Sequence, residues 1–360
     1  MSDRRLSRLA SLVGLGLLAG SGLILHRQFR ELDLGLIWSS VLALPLPQLG
    51  LAIGCTLGAY LTIIGYDVVA LRYIDERLAW RRLLLASFVS GAFSNALSIP
   101  LVGIGGARLR FYAAWGFSGA HVGQIVGFIG ISSWMGLLLV SGTAFLFAPP
   151  APPPGLAVDA DVWTTLFRGL GAAFLAVVAL VVGTCVAHAS LRIRGREVPL
   201  PRGDLALGQL TLGAGEWVLQ GLLVYALLLG SEGLTLAWFM SAFWAAMFVA
   251  MLGHIPAGLG ILDSGMLLLL TPRIPQEELL AALILFRVIY HLGPLALAAA
   301  LLGGFEIVQR CANRPAAAAP PSGRRRRSRS ATCAPEACAR ARRASLAARQ
   351  DRPDGRAPWP

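Results

Sequence analysis

The 360-residue chain is 56% apolar and 14% charged, with a mean hydropathy of +0.67. Soluble globular domains carry nearer a quarter of their residues charged, so this is the composition of a membrane protein. All 31 basic residues are Arg. Residues 1–309 hold 18 of them against 16 acids, and 310–360 hold 13 against 3. The formal +12 therefore belongs almost entirely to the tail, and a nucleic-acid-binding fold is excluded for the first 309 residues.

Arg4, Arg5 and Arg8 followed by the apolar run 9–25 imitate a signal peptide. The run ends in Leu25-His26-Arg27 without a small-residue cleavage site, which predicts an uncleaved first membrane helix. A span needs roughly 20 apolar residues. Further spans are predicted at 47–71, 120–147, 163–188, 205–229, 234–253 and 279–303. Two apolar stretches are broken. Residues 83–102 end in Ile99-Pro100 and run into the glycine-rich 103–106. Residues 255–272 open with Ile255-Pro256-Ala257-Gly258-Leu259-Gly260 and leave a half-helix before Pro272. The expected fold class is an all-α integral membrane protein, a bundle of about 7–8 spanning helices with two broken or re-entrant segments. The expected domains are a membrane unit over 1–305 and an Arg-, Pro- and Ala-rich disordered tail over 306–360.

Connecting-loop arginines set orientation. The loops 72–82 and 189–204 carry four Arg each, while 149–162 carries none. The N-terminus and these two loops are therefore expected on the cytoplasmic side of a bacterial-type inner membrane, together with the tail. From 72–82 inside to 149–162 outside requires an odd number of crossings, yet two apolar segments lie between. A re-entrant hairpin over about 83–118 resolves the parity. The same count puts residue 254 inside and makes the 262–272 half-helix complete a crossing paired with 279–303. Broken segments in both halves point to a transport site, because irregular backbone is tolerated at depth only where it lines a cavity.

Three groups of ionisable residues sit beside these breaks. In Gly103-Ile104-Gly105-Gly106-Ala107-Arg108-Leu109-Arg110-Phe111-Tyr112, glycines let amides approach an anion and Arg supplies a fork that fits phosphate. Gly105, Gly106, Arg108, Arg110 and Tyr112 are thus candidate headgroup contacts. His254, Pro256, Gly258, Gly260 and Asp263 form the second group, in which Asp263 either caps the following helix or binds substrate. Arg287 and Tyr290 share a helical face with His291 and Pro294 in the third. An Arg eight residues into an apolar helix needs an acid or water. The expected partner is Glu216, on a polar stripe with Gln209, Gly213 and Gln220. Asp67 is read as an interface residue. Cys55, Cys185, Cys311, Cys333 and Cys338 show no pairing or metal spacing, and no nucleophile elbow or Walker loop occurs, so neither a cofactor nor an enzyme is expected.

In this order the stretches YDVVALRYI (66–74), GIGGARLRFYAAWGFS (103–118), GEWVLQGLLVYALL (215–228), GHIPAGLGILD (253–263) and AALILFRVIYHLGPL (281–295) resemble the lysylphosphatidylglycerol synthase/flippase transmembrane family. The likeness covers about 50–305. It implies a bundle of about eight spans with re-entrant elements, and a role in moving lysylphosphatidylglycerol without the aminoacyltransferase domain. The commoner family turn has Gly where this chain has Ala257 and Glu where it has Asp263. The expected function is binding or translocation of a phospholipid with an aminoacylated or otherwise modified headgroup. Arg108 and Arg110 would hold the phosphodiester, and Glu216 or Asp263 would meet the amine. Two alternatives are a membrane subunit of a lysyltransferase whose catalytic domain is a separate chain, and a non-transporting scaffold. The expected partners are phospholipid and the membrane; homo-oligomerisation stays open, and the composition of the membrane unit argues against nucleic acid. The tail arginines, at about 1 kcal/mol each beside an anionic leaflet, are expected to hold it on the membrane surface.

Overall fold

The computed structural model describes residues 44–97, 100–153, 155, 158–187, 191–193, 196–198, 201–230, 234–253, 260–270 and 273–312. The predicted helix at 9–25, the tail beyond 312, and the site candidates His254, Pro256 and Gly258 lie outside them. In chain order the helices are α1 (Leu46–Tyr73), α2 (Trp80–Leu97), α3 (Pro100–Ala114), α4 (Gly119–Phe147), α5 (Ala160–Val186), α6 (Gly203–Leu227), α7 (Leu236–Gly253), α8 (Ile261–Leu270), α9 (Gln276–Phe286) and α10 (Gly293–Ala312). A π-helical turn, Arg287–Leu292, joins the last two, and a short antiparallel pair of strands, Leu191–Ile193 and Arg196–Val198, lies between α5 and α6. Among the described residues five helices are long and apolar enough to cross a membrane: α1, α4, α5, α6 and the continuous Gln276–Gln309. Large apolar side chains are turned outward on α1 (Leu51, Leu57, Leu61) and α5 (Val162, Leu166, Leu180). Buried Arg, Asp and Glu occupy the inside. That inverts the usual soluble arrangement, as a hydrocarbon solvent requires.

Glycines set the helix spacing. A Cβ on Gly65 would lie 2.7 Å from Leu212, and one on Gly136 would lie 2.1 Å from the carbonyl carbon of Gly213. Backbone therefore meets backbone where α4 crosses α6, the close approach that small residues permit between membrane helices. Along these crossings α1 runs antiparallel to α6, with Gly65 beside Leu212 and Gly58 beside Leu219, while α4 runs parallel to α6.

The predicted re-entrant segment over 83–118 is present. Arg82 lies over the Trp115 ring at 5.7 Å, at the end where α1 finishes and α4 begins, so α2 and α3 fold back on each other. Gly91 meets Ile63 and Phe88 meets Tyr60, both midway along α1, so this hairpin reaches the middle of the bundle and returns.

The second broken segment differs from the expectation. Ala246 lies against Gly265, and Arg273 stacks on Trp238 at 4.6 Å, so α8 retraces α7 to the end at which α7 started. Phe239 packs on Tyr225, and Trp244 Nε1 donates to the Trp217 carbonyl, placing that start at the α6 C-terminus. Residues 234–253 are thus one arm of a hairpin rather than a span, and α8 completes no crossing; residue 254, expected inside, lies outside the described residues. The physical reason is length. An 18-residue helix followed by a 10-residue one cannot make two traverses. The hairpins enter from opposite ends.

Candidate functional site

The ionisable residues converge where the two hairpins approach the π-helical turn. On α3, Arg108 and Arg110 are two residues apart and hence on opposite helix faces. Arg108 is 1% exposed and grips Asp67 of α1, with Nε 3.0 Å from Oδ1 and Nη2 2.8 Å from Oδ2. Tyr112, one turn on, donates to the same Oδ1 at 3.0 Å. Asp67 is fully buried, so the interface reading is corrected: its backbone sits near the end of α1, but the side chain turns inward to the hairpin. Arg110 pairs with Glu306 of α10, with Nη2 3.0 Å from Oε2, and lies 5.2 Å from the Phe305 ring. The hairpin is thereby fastened to one span on each side.

The Gly103–Gly106 run lies within α3 and is not an open loop, because Pro100, with φ preset, starts the helix. Gly105 and Gly106 therefore form no backbone cradle, although a Cβ on Gly105 would meet only Val126 at 3.8 Å.

In the second hairpin, Asp263 takes the capping role the sequence left open and in addition pairs with Arg287. Its Oδ2 accepts the Gly260 amide at 3.0 Å, with Gly260 at φ +79°, which fixes the start of α8. Both its oxygens also face Arg287 Nη2, at 2.8 and 2.7 Å. The expected Glu216–Arg287 pair is therefore corrected. Asp263 takes the arginine because α8 packs beside α9, whereas Glu216 faces α1.

The Gln209–Gly213–Glu216–Gln220 stripe is buried as expected. Gln209 Nε2 donates to the Phe128 carbonyl at 3.1 Å, Gly213 sits against Gly136, and Glu216 Oε2 accepts from Tyr66 at 2.6 Å. Tyr66→Phe removes the donor to a buried carboxyl. The expected cost is about 1–3 kcal/mol, seen as a lower unfolding midpoint in detergent.

The π-helical turn follows from one residue. Pro294 has no amide to offer the Tyr290 carbonyl, and the Gly293 amide reaches back five residues to Val288. The freed Tyr290 carbonyl accepts instead from the Tyr60 hydroxyl at 3.2 Å, with the two rings 5.8 Å apart. Asn95, near the tip of the first hairpin, lies beside both tyrosine hydroxyls. Asn95 Nδ2, Tyr290 Oη, Arg287 Nε and His291 Nδ1 are buried without a hydrogen-bond partner. Pro294→Ala restores an amide at 294 and is expected to draw the Tyr290 carbonyl back into the helix. Loss of the Tyr60 hydroxyl contact, read by its infrared stretch, is the check.

Tyr60, Tyr66, Asn95 and Glu306 are the polar residues at this centre that sequence reasoning did not single out. Tyr66 stands in the YDVVALRYI stretch beside Asp67, but nothing in its local pattern marks it as facing Glu216. An apolar cavity of about 540 Å³, lined by Phe145, Trp163, Phe167, Ala246, Ser264 and Leu268 among others, borders another face of α8, and neither Asp263 nor Arg287 lines it.

Helices that expose apolar side chains, pair their charges inside and enclose two opposed hairpins define a multi-pass membrane protein with broken helices around a polar centre. The chain is 30% identical over 279 residues to the uncharacterized protein slr0712 of Synechocystis sp., an alignment covering 76% of this chain and 85% of that protein, and it belongs to the same family. It is also 29% identical over 250 residues to the inner membrane protein YbhN of Escherichia coli, covering 69% of this chain and 76% of YbhN. No family model matches the chain.

Proposed function

We propose that this protein binds a phospholipid with an amine-bearing headgroup, lysylphosphatidylglycerol or a chemical relative, and moves it between leaflets. The observation that carries the reading is a buried polar centre, with Glu216 and the Asp263–Arg287 pair, at the meeting of two opposed hairpins. A polar centre enclosed by helices whose outer faces are apolar suits the headgroup of an amphipathic ligand, with its acyl chains left against the apolar surface. Hairpins that enter from opposite ends give each leaflet its own gate around a fixed site.

The buried pairings redistribute the roles expected from sequence. Arg108 and Arg110 each hold an acid with two nitrogens, so they fasten the first hairpin. Arg287, with an uncommitted Nε, is assigned to the phosphodiester, and Glu216, with no arginine, to the amine. The two Arg-bearing loops emerge at the same end of the bundle, where α1 and α5 finish. By the positive-inside rule this is the cytoplasmic face of the inner membrane.

The test is a leaflet-accessibility assay in liposomes with labelled lysyl-headgroup lipid. The paired neutral variant Asp263→Asn with Arg287→Gln keeps the shapes and leaves no orphan charge. Translocation is expected to fall at least tenfold, equivalent to about 1.4 kcal/mol, with the unfolding midpoint near wild type. Undiminished translocation would remove Arg287 from its role, and no acceleration by wild-type protein over empty liposomes would remove the function.

A further inference from the structure

Among the described residues three acids are buried, Asp67, Glu216 and Glu306, with Asp263 partly buried beside them; every one but Glu216 has an arginine. Asp67 holds Arg108, Glu306 holds Arg110 and Asp263 holds Arg287. Glu216 is 5% exposed and has a tyrosine instead, the Tyr66 hydroxyl at 2.6 Å. The titratable and charged groups facing it come from three elements. They are Tyr60 and Tyr66 of α1, Arg108 of α3 and Tyr290 of the π-helical turn. The guanidinium of Arg108 is already spent on Asp67, and the tyrosines bring no positive charge. On the α7 side the neighbouring polar group is Trp244, whose Nε1 is given to the Trp217 carbonyl. An ionised carboxylate without a cation is costly at membrane depth, and intramembrane acids of this kind mark proton relays. Glu216 must therefore carry a cation of its own.

We propose that this cation alternates. Glu216 holds a proton when the site is empty of lipid and exchanges it for the headgroup ammonium when lipid enters, so the protein is a proton-coupled lipid exchanger. The step balances. The carboxylic O–H bond breaks, its proton leaves to water, and the carboxylate accepts an N–H from the ammonium, so site and counter-cation stay neutral together. Release on the far side is the reverse, with a proton from that side replacing the amine. One proton is thus exchanged per lipid. The proposal rests on the lipid reading above and adds to it the energy source and the requirement for an amine.

Two measurements test it. In proteoliposomes with the membrane potential clamped to zero, a one-unit pH gradient should drive roughly tenfold asymmetry of lysyl-headgroup lipid, since one proton per lipid links the two ratios directly. Reversing the gradient should reverse the asymmetry, and Glu216→Gln, which keeps an acceptor for Tyr66, should abolish it. In detergent-solubilised protein, the infrared band of a protonated carboxyl should be present in wild type and absent from Glu216→Gln. It should fade on addition of lysyl-headgroup lipid and persist with phosphatidylglycerol. Lipid movement indifferent to the gradient, with a carboxyl band indifferent to lipid, would overturn the exchange while leaving translocation standing. Absence of any lipid movement by wild type would overturn both.

Discussion

Gly136→Leu is expected to leave almost no folded protein, measured as recovery of the monodisperse peak in fluorescence-detected size exclusion. The side chain would begin inside the backbone of α6, since even a Cβ at 136 lies 2.1 Å from the Gly213 carbonyl carbon and 2.5 Å from its oxygen. Extra methylenes in a packed core cost about 1–3 kcal/mol when side chains can give way. Here the obstacle is main chain, so α4 and α6 must separate. That separation would release Gln209 from the Phe128 carbonyl and Trp217 from the Ser133 carbonyl, both of which bridge the same crossing. Gly213→Leu should fail equally, because its Cβ meets the Ser132 oxygen at 2.4 Å. Gly130→Ala is the control. No atom lies within 4 Å of its Cβ, and Ala is favoured over Gly in a helix by about 1 kcal/mol, so the unfolding midpoint should hold or rise.

Which parts of this arrangement were legible in sequence follows from the range of the forces involved. Spans announce themselves by length and hydropathy, and the Arg count in loops fixed the parity that exposed the first hairpin. Proline and glycine at Ile99-Pro100 and Ile255-Pro256 marked both breaks. The second break was misassigned because parity alone cannot decide whether α7 crosses. That depends on Gly265 seating on Ala246, a contact between residues 19 apart that no periodicity encodes. Partner choice failed for a related reason. Glu216 was the obvious acid for Arg287 by burial, but Asp263 is closer through the fold. Asp67 looked superficial because depth was judged from its place along α1, and the direction of its side chain is set by Arg108 forty-one residues away.

The order span, hairpin, span occurs twice, as α1 to α4 and as α6 to α10. Each hairpin carries Ile-Pro followed by Gly-x-Gly: Ile99-Pro100 with Gly103 and Gly105, and Ile255-Pro256 with Gly258 and Gly260. The single crossing of α5 between them turns the second copy over. This is why one hairpin enters from each end, and why α1 and α6, the first helices of the two copies, lie antiparallel against each other. Tyr66 meets Glu216 where the first helices of the two copies lie against each other. The charges are not copied symmetrically. Among the described residues the first hairpin is tied by two arginine pairs, Arg108–Asp67 and Arg110–Glu306, and the second by Arg287–Asp263. The second hairpin is the one that borders the apolar cavity.

Asp67→Asn is expected to destabilise the protein by about 3–5 kcal/mol, the cost of leaving one member of a buried ion pair without its partner. Arg108 is 1% exposed and its guanidinium cannot shed its proton, so no change of ionisation can relieve the site. Asn supplies an oxygen of nearly the same shape, which isolates loss of charge from loss of volume. The same substitution weakens the acceptor for Tyr112, whose hydroxyl shares Oδ1 with Arg108. Replacing both members by apolar residues, Asp67→Leu with Arg108→Met, removes the orphan and should recover most of the loss, because well-packed apolar substitutes for a buried pair are often neutral or better. The unfolding midpoint in detergent therefore orders wild type and double variant close together and Asp67→Asn far below. If Asp67→Asn stays within a degree or two of wild type, water reaches Arg108 and the pair is not the fastening described. If the double variant is stable yet still moves lipid at the wild-type rate, the pair only anchors α3 to α1. A stable double variant that binds lipid but no longer moves it would place the opening of the first hairpin within the transport cycle.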